Sequence, residues 1–267
     1  MTMRLVIEHS TVYRYTVPQT YTIQQLRLTP RKEPHQQVLS WQIASPGQRH
    51  ALVDAFGNES HMLTLAGPHT EVRIVASGSV EVEPPPGGRL ADAGPLSPLV
   101  FTVPTRFTQP DDAIIEFAWR HLPRNPGSHQ LLALADALAG TVSYQPGATA
   151  VSTTAADAMR LRQGVCQDQA HLFLACCHAL GIPGRYVSGY IYPGDQPHAA
   201  SHAWVDVWAE EPGFAGWVSI DVTHTRFADA SLCRLAIGRD YESAAPIRGV
   251  RRGGGAETME VKVDVTH

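Results

Sequence analysis

Three residues of this chain have the types that together make a sulfur nucleophile: Cys166, His202 and Asp221. A thiol attacks a carbonyl as its thiolate. It therefore needs a base to take or hold its proton, and the base needs a group that fixes its tautomer and orientation. Asp221 would accept one ring N–H of His202 and favour an imidazolium paired with the thiolate. The backbone N–H of Cys166 would help hold the oxyanion that forms when sulfur adds to a carbonyl. The chemistry within reach is acyl transfer through a thioester. Each residue also has a plainer role open to it: a small core residue for Cys166, an ordinary sheet residue for His202, a turn former at a strand end for Asp221.

The elements that carry these residues can be read from periodicity. Between Gly164 and Gly181 the apolar residues Ala170, Phe173, Leu174 and Cys177 fall at helical offsets, and Gly181-Ile182-Pro183 is a helix stop. Cys166 sits in the first turn, where unpaired backbone N–H groups and the positive end of the helix dipole stabilise a thiolate. Its place on the stripe with Ala170, Phe173 and Cys177 points it inward. Asp168, in the same turn, is read as a partner of the dipole rather than a reacting group. His171 and His178 are assigned to the polar side of the helix.

Beyond Gly181 the period becomes two. Residues 185–192, 201–208 and 216–222 read as strands. In the second, Ala203, Val205 and Val207 oppose His202, Trp204, Asp206 and Trp208; in the third, Val218, Ile220 and Val222 oppose Trp217, Ser219 and Asp221. Pro212-Gly213 lies in the loop 210–215, so the two pair as a hairpin. A register with Asp221 across from His202 and Trp217 across from Asp206 keeps all the apolar residues on one side, with Trp204 and Trp217 flanking the polar pair.

Upstream, the first eighty or so residues read as strands at 4–7, 11–15, 22–28, 38–43, 61–65 and 71–82. The last of these has Val72, Ile74, Ala76, Val80 and Val82 on one face. Asp54 to Asn58 supplies turn residues. The run Pro84-Pro85-Pro86-Gly87-Gly88, with Gly94-Pro95 and Pro98 after it, marks a linker. Helices follow: one capped by Asp111 and running to Leu122, one capped by Ser128 and ended by Gly140, and a short one opened by Thr154 and Asp157. Arg248 to Arg252 with the glycines at 253–255 reads as a solvated loop. Residues 258–266 read as a last strand with no assigned sheet. The domains expected are a β-rich unit at 1–83, a linker at 84–98 and a core at 99–267 that includes the last strand.

The 267 residues carry a formal net charge of −4 and a pI near 6.3, which argues against an electrostatic nucleic-acid partner. No apolar run is long enough to span a bilayer, and the first residues lack a signal pattern, so no membrane partner is expected and the cytoplasm is the default. Four cysteines, two of them adjacent, do not form a disulfide framework. His198 and His202 are four apart, but Gly194 and Pro197 make that stretch a loop, so the spacing carries no zinc meaning and no metal or cofactor is expected.

Four blocks carry a family resemblance: Gly-Val-Cys-Gln-Asp-Gln-Ala-His-Leu at 164–172, Gly-Ile-Pro-Gly-Arg-Tyr-Val-Ser-Gly-Tyr at 181–190, Ser-His-Ala-Trp-Val-Asp-Val at 201–207 and Gly-Trp-Val-Ser-Ile-Asp-Val-Thr at 216–223. They resemble the bacterial transglutaminase-like superfamily. Asp-Ala-Phe-Gly-Asn at 54–58, Gly-Arg-Asp-Tyr at 238–241 and the Arg-Gly-Gly-Gly loop resemble one bacterial branch of it. The resemblance implies an α+β fold, a papain-like transglutaminase core preceded by an all-β domain, with Cys166 as nucleophile, His202 as base and Asp221 as orienting acid. It implies a peptide or protein amide as substrate. Gln167 stands where animal cross-linking enzymes carry an aromatic residue, and no calcium loop is visible. Hydrolysis, deamidation and transamidation stay open. So do acyl transfer from a thioester, as in the arylamine acetyltransferases, and a non-catalytic peptide-binding module.

Overall fold

The computed structural model describes residues 1–90, 94–194 and 201–267. Two antiparallel sheets organise it. The first is built on two 24-residue strands, β1 (Met3–Leu26) and β4 (Glu59–Val82), paired along their length. β2 (Gln36–Ala44) and β3 (Gln48–Val53) lie end to end along the far edge of β4. β13 (Ile247–Arg252) and β14 (Glu257–Thr266) lie end to end along the far edge of β1. Of the short strands expected from sequence, 4–7, 11–15 and most of 22–28 fall in β1 and 61–65 and 71–82 in β4, while 38–43 is β2. A register shift between Arg14 and Tyr21 bends β1 and interrupts its alternation, so each half reads as a separate strand. The face with Val72, Ile74, Ala76, Val80 and Val82 is buried as expected.

Two expectations about the C-terminal end change. Arg248 to Arg252 is strand, not solvated loop, because it pairs with residues 21–25 of β1. The last strand pairs with residues 6–15 of β1, so residues 247–266 complete the first sheet rather than standing with the core.

The second sheet runs β11 (Arg226–Phe227), β10 (Phe214–Asp221), β9 (Ser201–Glu211), β8 (Gly184–Ile191), β12 (Leu232–Gly238). β5 (Arg89–Leu90) also pairs with β10, which binds part of the proline–glycine segment to the core. Residues 91–93 of that segment lie outside the described residues. Helices α2 (Ser128–Ala139) and α4 (Cys166–Ala179) pack on the sheet, α1 (Asp112–His121) and α3 (Ala155–Leu161) pack on α4, and α5 (Tyr241–Ala244) follows β12. A two-strand parallel pair, β6 (Ser143–Tyr144) and β7 (Gln163–Gly164), leads into α4.

The helix signals act as expected, with one shift. Asp111 Oδ1 accepts from Ile114 N at 2.9 Å, and Thr154 and Asp157 satisfy each other's backbone N–H. The cap of α2 is Gly127 rather than Ser128, whose hydroxyl donates instead to Glu211 Oε1 at 2.7 Å. Helix α4 is central. Its Leu172, Phe173, Leu174, Ala175, Cys176 and Cys177 are fully enclosed by the other helices and by Val205, Val207, Val218 and Ile220 of the sheet. Being wrapped on all sides, it has no solvated face at His171 or His178. Both are buried, against the expectation, and His171 stacks on Phe107 at 5.1 Å. No helix among the described residues is long and apolar enough to cross a membrane.

The two sheets are fixed to each other. Leu5, Ile7, Val80, Val82 and Val265 of the first pack on Tyr190, Cys233 and Leu235 of the second. Asn58, at the end of the Asp54 turn, exchanges hydrogen bonds with Ile237 at 2.8 and 2.9 Å. Arg234 of β12 reaches Glu33 at 3.1 Å.

Candidate active site

The site lies where the first turn of α4 meets the start of β9 and the end of β10. Cys166 opens α4, and its N-cap Val165 donates its N–H to Asp168 Oδ2 at 2.8 Å. Asp168 also accepts from Thr149 Oγ1 at 2.6 Å. It therefore braces the helix start, as expected, and burial raises its pKa. The helix end is tied sideways too. Gln169 donates to Val142 O at 3.0 Å and accepts from Thr223 Oγ1 at 2.8 Å, which links the cysteine turn to the segment just after Asp221.

His202 is buried. It lines the same groove as Cys166, near enough that the sulfur raises its pKa, and its Nε2–H donates to Asp221 Oδ1 at 2.8 Å. Since Nε2 is spent on the carboxylate, Nδ1 is the nitrogen left to face the sulfur. Burial alone would lower the pKa of His202. Asp221 and then Cys166 outweigh it and raise the value to about 10. Asp221 is fully buried. Burial opposes its ionisation too, but His202 and His224 hold it well below the usual carboxylate range. The indole of Trp204 lies along the His202 ring at 6.0 Å and donates to Ser219 Oγ at 3.1 Å, so one side of the imidazole is shielded from water.

The register of β9 and β10 is two residues away from the expected one. Val218 faces Val207 and Ile220 faces Val205. Glu211 and Phe214 close the hairpin through Pro212-Gly213 alone, with Gly213 at φ 80° in the left-handed region. That two-residue turn sets the register. An even shift leaves every side chain on its expected face. Asp221 meets His202 diagonally instead of directly, a separation that two such side chains can span. Trp217 moves away from the site. It packs on Phe101 and Trp208, with the Arg185 guanidinium 4.3 Å above its ring. Asp206 is not part of the site; it is buried between Arg185, at 2.8 Å, and Arg234, at 3.0 Å.

Sequence reasoning missed three neighbours. His224 Nδ1–H donates to Asp221 Oδ2 at 2.7 Å, and Arg226 Nε lies 3.5 Å from the same oxygen. The carboxylate thus has a partner on each oxygen. Tyr144 is set beside Gly164 by the β6–β7 pair, near enough to Cys166 that burial and then the sulfur's charge raise its pKa. Nothing in the local pattern marks these residues; only a histidine three positions after Asp221 hints at the first. His202, Asp221 and His224 each place a potential metal-ligand atom within 4.8 Å of the others. Both histidines already spend one ring nitrogen on the carboxylate. His198 lies outside the described residues.

Two clefts open on His202. One, of about 800 Å³, is lined by Tyr144, Thr223, His224, Arg226 and Asp229. The other, of about 250 Å³, reaches Cys166 and runs between the two sheets.

Residues 5–81 match the bacterial transglutaminase-like N-terminal region, and residues 121–222 match the transglutaminase-like superfamily core. An uncharacterised protein of Mycobacterium leprae is 32% identical over 279 residues, which cover 98% of each chain. One of Mycobacterium bovis is 31% identical over 291 residues, covering 99% of this chain and 93% of that one. The crystal structure of a proposed cysteine protease from Cytophaga hutchinsonii shares the fold, with a TM-score of 0.78 and 22% identity over all of this chain and 91% of that one.

Proposed function

Since the chain belongs to the bacterial transglutaminase-like superfamily, we propose that it is a thiol enzyme acting on an amide carbonyl of a peptide or protein. The observation that carries this reading is His202 held by a buried carboxylate, Asp221, at 2.8 Å while it lines one groove with Cys166. Cys166 Sγ adds to the carbonyl carbon, and the oxyanion develops beside the first N–H groups of α4, which have no acceptor within the helix. As the tetrahedral adduct collapses, the C–N bond breaks and the His202 imidazolium gives its proton to the departing amine. A thioester on Cys166 remains. His202, now neutral, takes a proton from water or an amine as its O or N bonds to the thioester carbon; the C–S bond then breaks and returns the thiolate beside the imidazolium, giving hydrolysis or deamidation with water and transamidation with an amine.

The test is to trap that thioester. Intact-mass measurement after mixing with glutamine-containing peptides, other peptides and small acyl thioesters should show an acyl adduct, mapped to Cys166, from at least one amide class. Acylation by thioesters alone would replace amide chemistry with acyl transfer. No adduct from any class would leave a peptide-binding module.

A further inference from the structure

Strand β14 carries one apolar face along its length, and that face is covered unevenly. Val265 is 7% exposed, Val261 47% and Met259 59%. Their partners across the strand pair, Ile7, Thr11 and Tyr13 on β1, are all buried. The face therefore starts inside the contact between the two sheets and emerges from it toward residue 259. The 250 Å³ groove lies where it emerges. Tyr13, Met259, Val261 and Ile247 come to it from the first sheet, Tyr186 and Tyr241 from the core, and Cys166 opens into it. Among the described residues no Asp, Glu, Lys or Arg lines it. Three of its polar side chains are already hydrogen-bonded within the fold. Thr11 Oγ1 lies 3.1 Å from His9 Nε2, His9 Nδ1 lies 2.9 Å from Tyr190 Oη, and Ser188 Oγ donates to Ala244 O at 2.6 Å. The cleft on the other side of His202 differs on each count: it holds Arg226, Asp229 and His224, and Cys166 is not among its lining residues.

We propose that the groove is an acyl-side subsite for one apolar side chain of the substrate, with its outer wall supplied by Met259 and Val261 of β14. This rests on the thiol reading above. The acyl carbon becomes bonded to the Cys166 sulfur, so the acyl-side chain occupies the cleft that contains the sulfur. The departing amine takes its proton from the imidazole and has the polar cleft beside it. An apolar side chain in the groove covers β14 surface that is otherwise left in water. A charged one loses its hydration there, and no Asp, Glu, Lys or Arg among the groove's described residues offers it an ion pair. The second sheet's anchorage to the first holds Met259 and Val261 at a fixed distance from the thiol, which a selective subsite requires.

The test uses N-acetyl aminoacyl chloromethyl ketones, which present an acyl-side residue to a thiol, with glycine, leucine, phenylalanine, glutamate or lysine side chains. Labelling of Cys166 in the full chain is timed against labelling by iodoacetamide, which has no side chain to place. The leucine and phenylalanine reagents should react about 10- to 100-fold faster than the glycine one, and the glutamate reagent no faster. Met259→Glu should bring leucine and phenylalanine to within about threefold of glycine, while iodoacetamide labelling stays within about twofold of the unmodified chain. The side chain is more than half exposed, so this change leaves the core intact. Equal rates for all side chains, or a preference that survives both Met259→Glu and Val261→Glu, would overturn the subsite. Failure of iodoacetamide to label Cys166 ahead of Cys233 would refute the thiol reading, and the subsite with it.

Discussion

The two ends of α4 carry the same residue types in different states. At its start, Cys166 is partly exposed and shares a groove with a histidine whose pKa is raised to about 10. Toward its other end Cys176, Cys177 and His178 are buried, and among the described residues no carboxylate acts on them. Burial pushes Cys176 up to about 12 and Cys177 well above its ordinary value, and it lowers His178 to about 4. His171, between them, is lowered to about 4 as well. Burial by itself thus drives thiols and imidazoles to their neutral forms. Charge survives at His202 because Asp221 faces it, with Cys166 adding to the effect. Residue type does not set the state of these groups; the facing partner does.

Replacing the thiols one at a time breaks this comparison most directly. Cys166→Ala should lower turnover by about 10⁴-fold or more, with the melting temperature kept within about 2 °C. Cys177→Ala should do the reverse, costing about 1 kcal/mol of stability and leaving turnover on the same substrate within about threefold. Exchange of those two outcomes would place the chemistry at the wrong end of the helix.

Two buried carboxylates extend the comparison to the sheet. Asp221→Asn should lower kcat by about 10²- to 10⁴-fold, since an amide cannot hold the imidazolium, with the circular dichroism spectrum retained. Asp206→Asn should instead destabilise by about 3–5 kcal/mol, because it strands the buried Arg185 and Arg234. Denaturant midpoints and rates measured on both variants separate the two roles.

The pH dependence has a definite sign. The pKa of His202 is raised, so its contribution to stability is full below the imidazole's ordinary 6.5 and is lost as pH climbs through about 10. Asp221 is depressed, so its contribution is present above the ordinary carboxylate value of about 3.9 and lost as pH falls below it. Between these limits the pair stays charged. Proton NMR should show no titration of the His202 ring between pH 5 and 8, with His171 neutral across the same range. A His202 midpoint near 6.5 would mean that the carboxylate does not hold it.

The smallest effect is expected at His224. His224→Gln removes one partner of Asp221 and leaves the contact with His202, so kcat should fall about 3- to 10-fold. A loss as large as that of Asp221→Asn would make His224 essential to the orientation of the carboxylate.

What could be read from the sequence follows from the range of the interactions involved. Alternation placed His202 and Asp221 on one face and the glycine-bounded stripe placed Cys166 at a helix start, because both signals are local. The register of β9 and β10 was off by two residues because it depends on the turn, and Pro212-Gly213 closes tighter than the surrounding loop suggests. The error was even, so the faces survived it and Asp221 still reaches His202. The partner of β14 lies some 240 residues away in sequence, as in Tyr15 facing Glu257, and no local pattern records such a pairing. His171 and His178 look polar in a helical projection. Their burial comes from α4 being enclosed on every side, which is a property of the packed core.

The account turns on whether one imidazole activates one sulfur, and alkylation at pH 6 reads that directly. Iodoacetamide labelling followed by peptide mapping should give Cys166 as the single fast site among the four cysteines, and His202→Ala should slow it at least tenfold. Equal labelling of Cys166, Cys176, Cys177 and Cys233, or an unchanged rate in the His202→Ala protein, would contradict it.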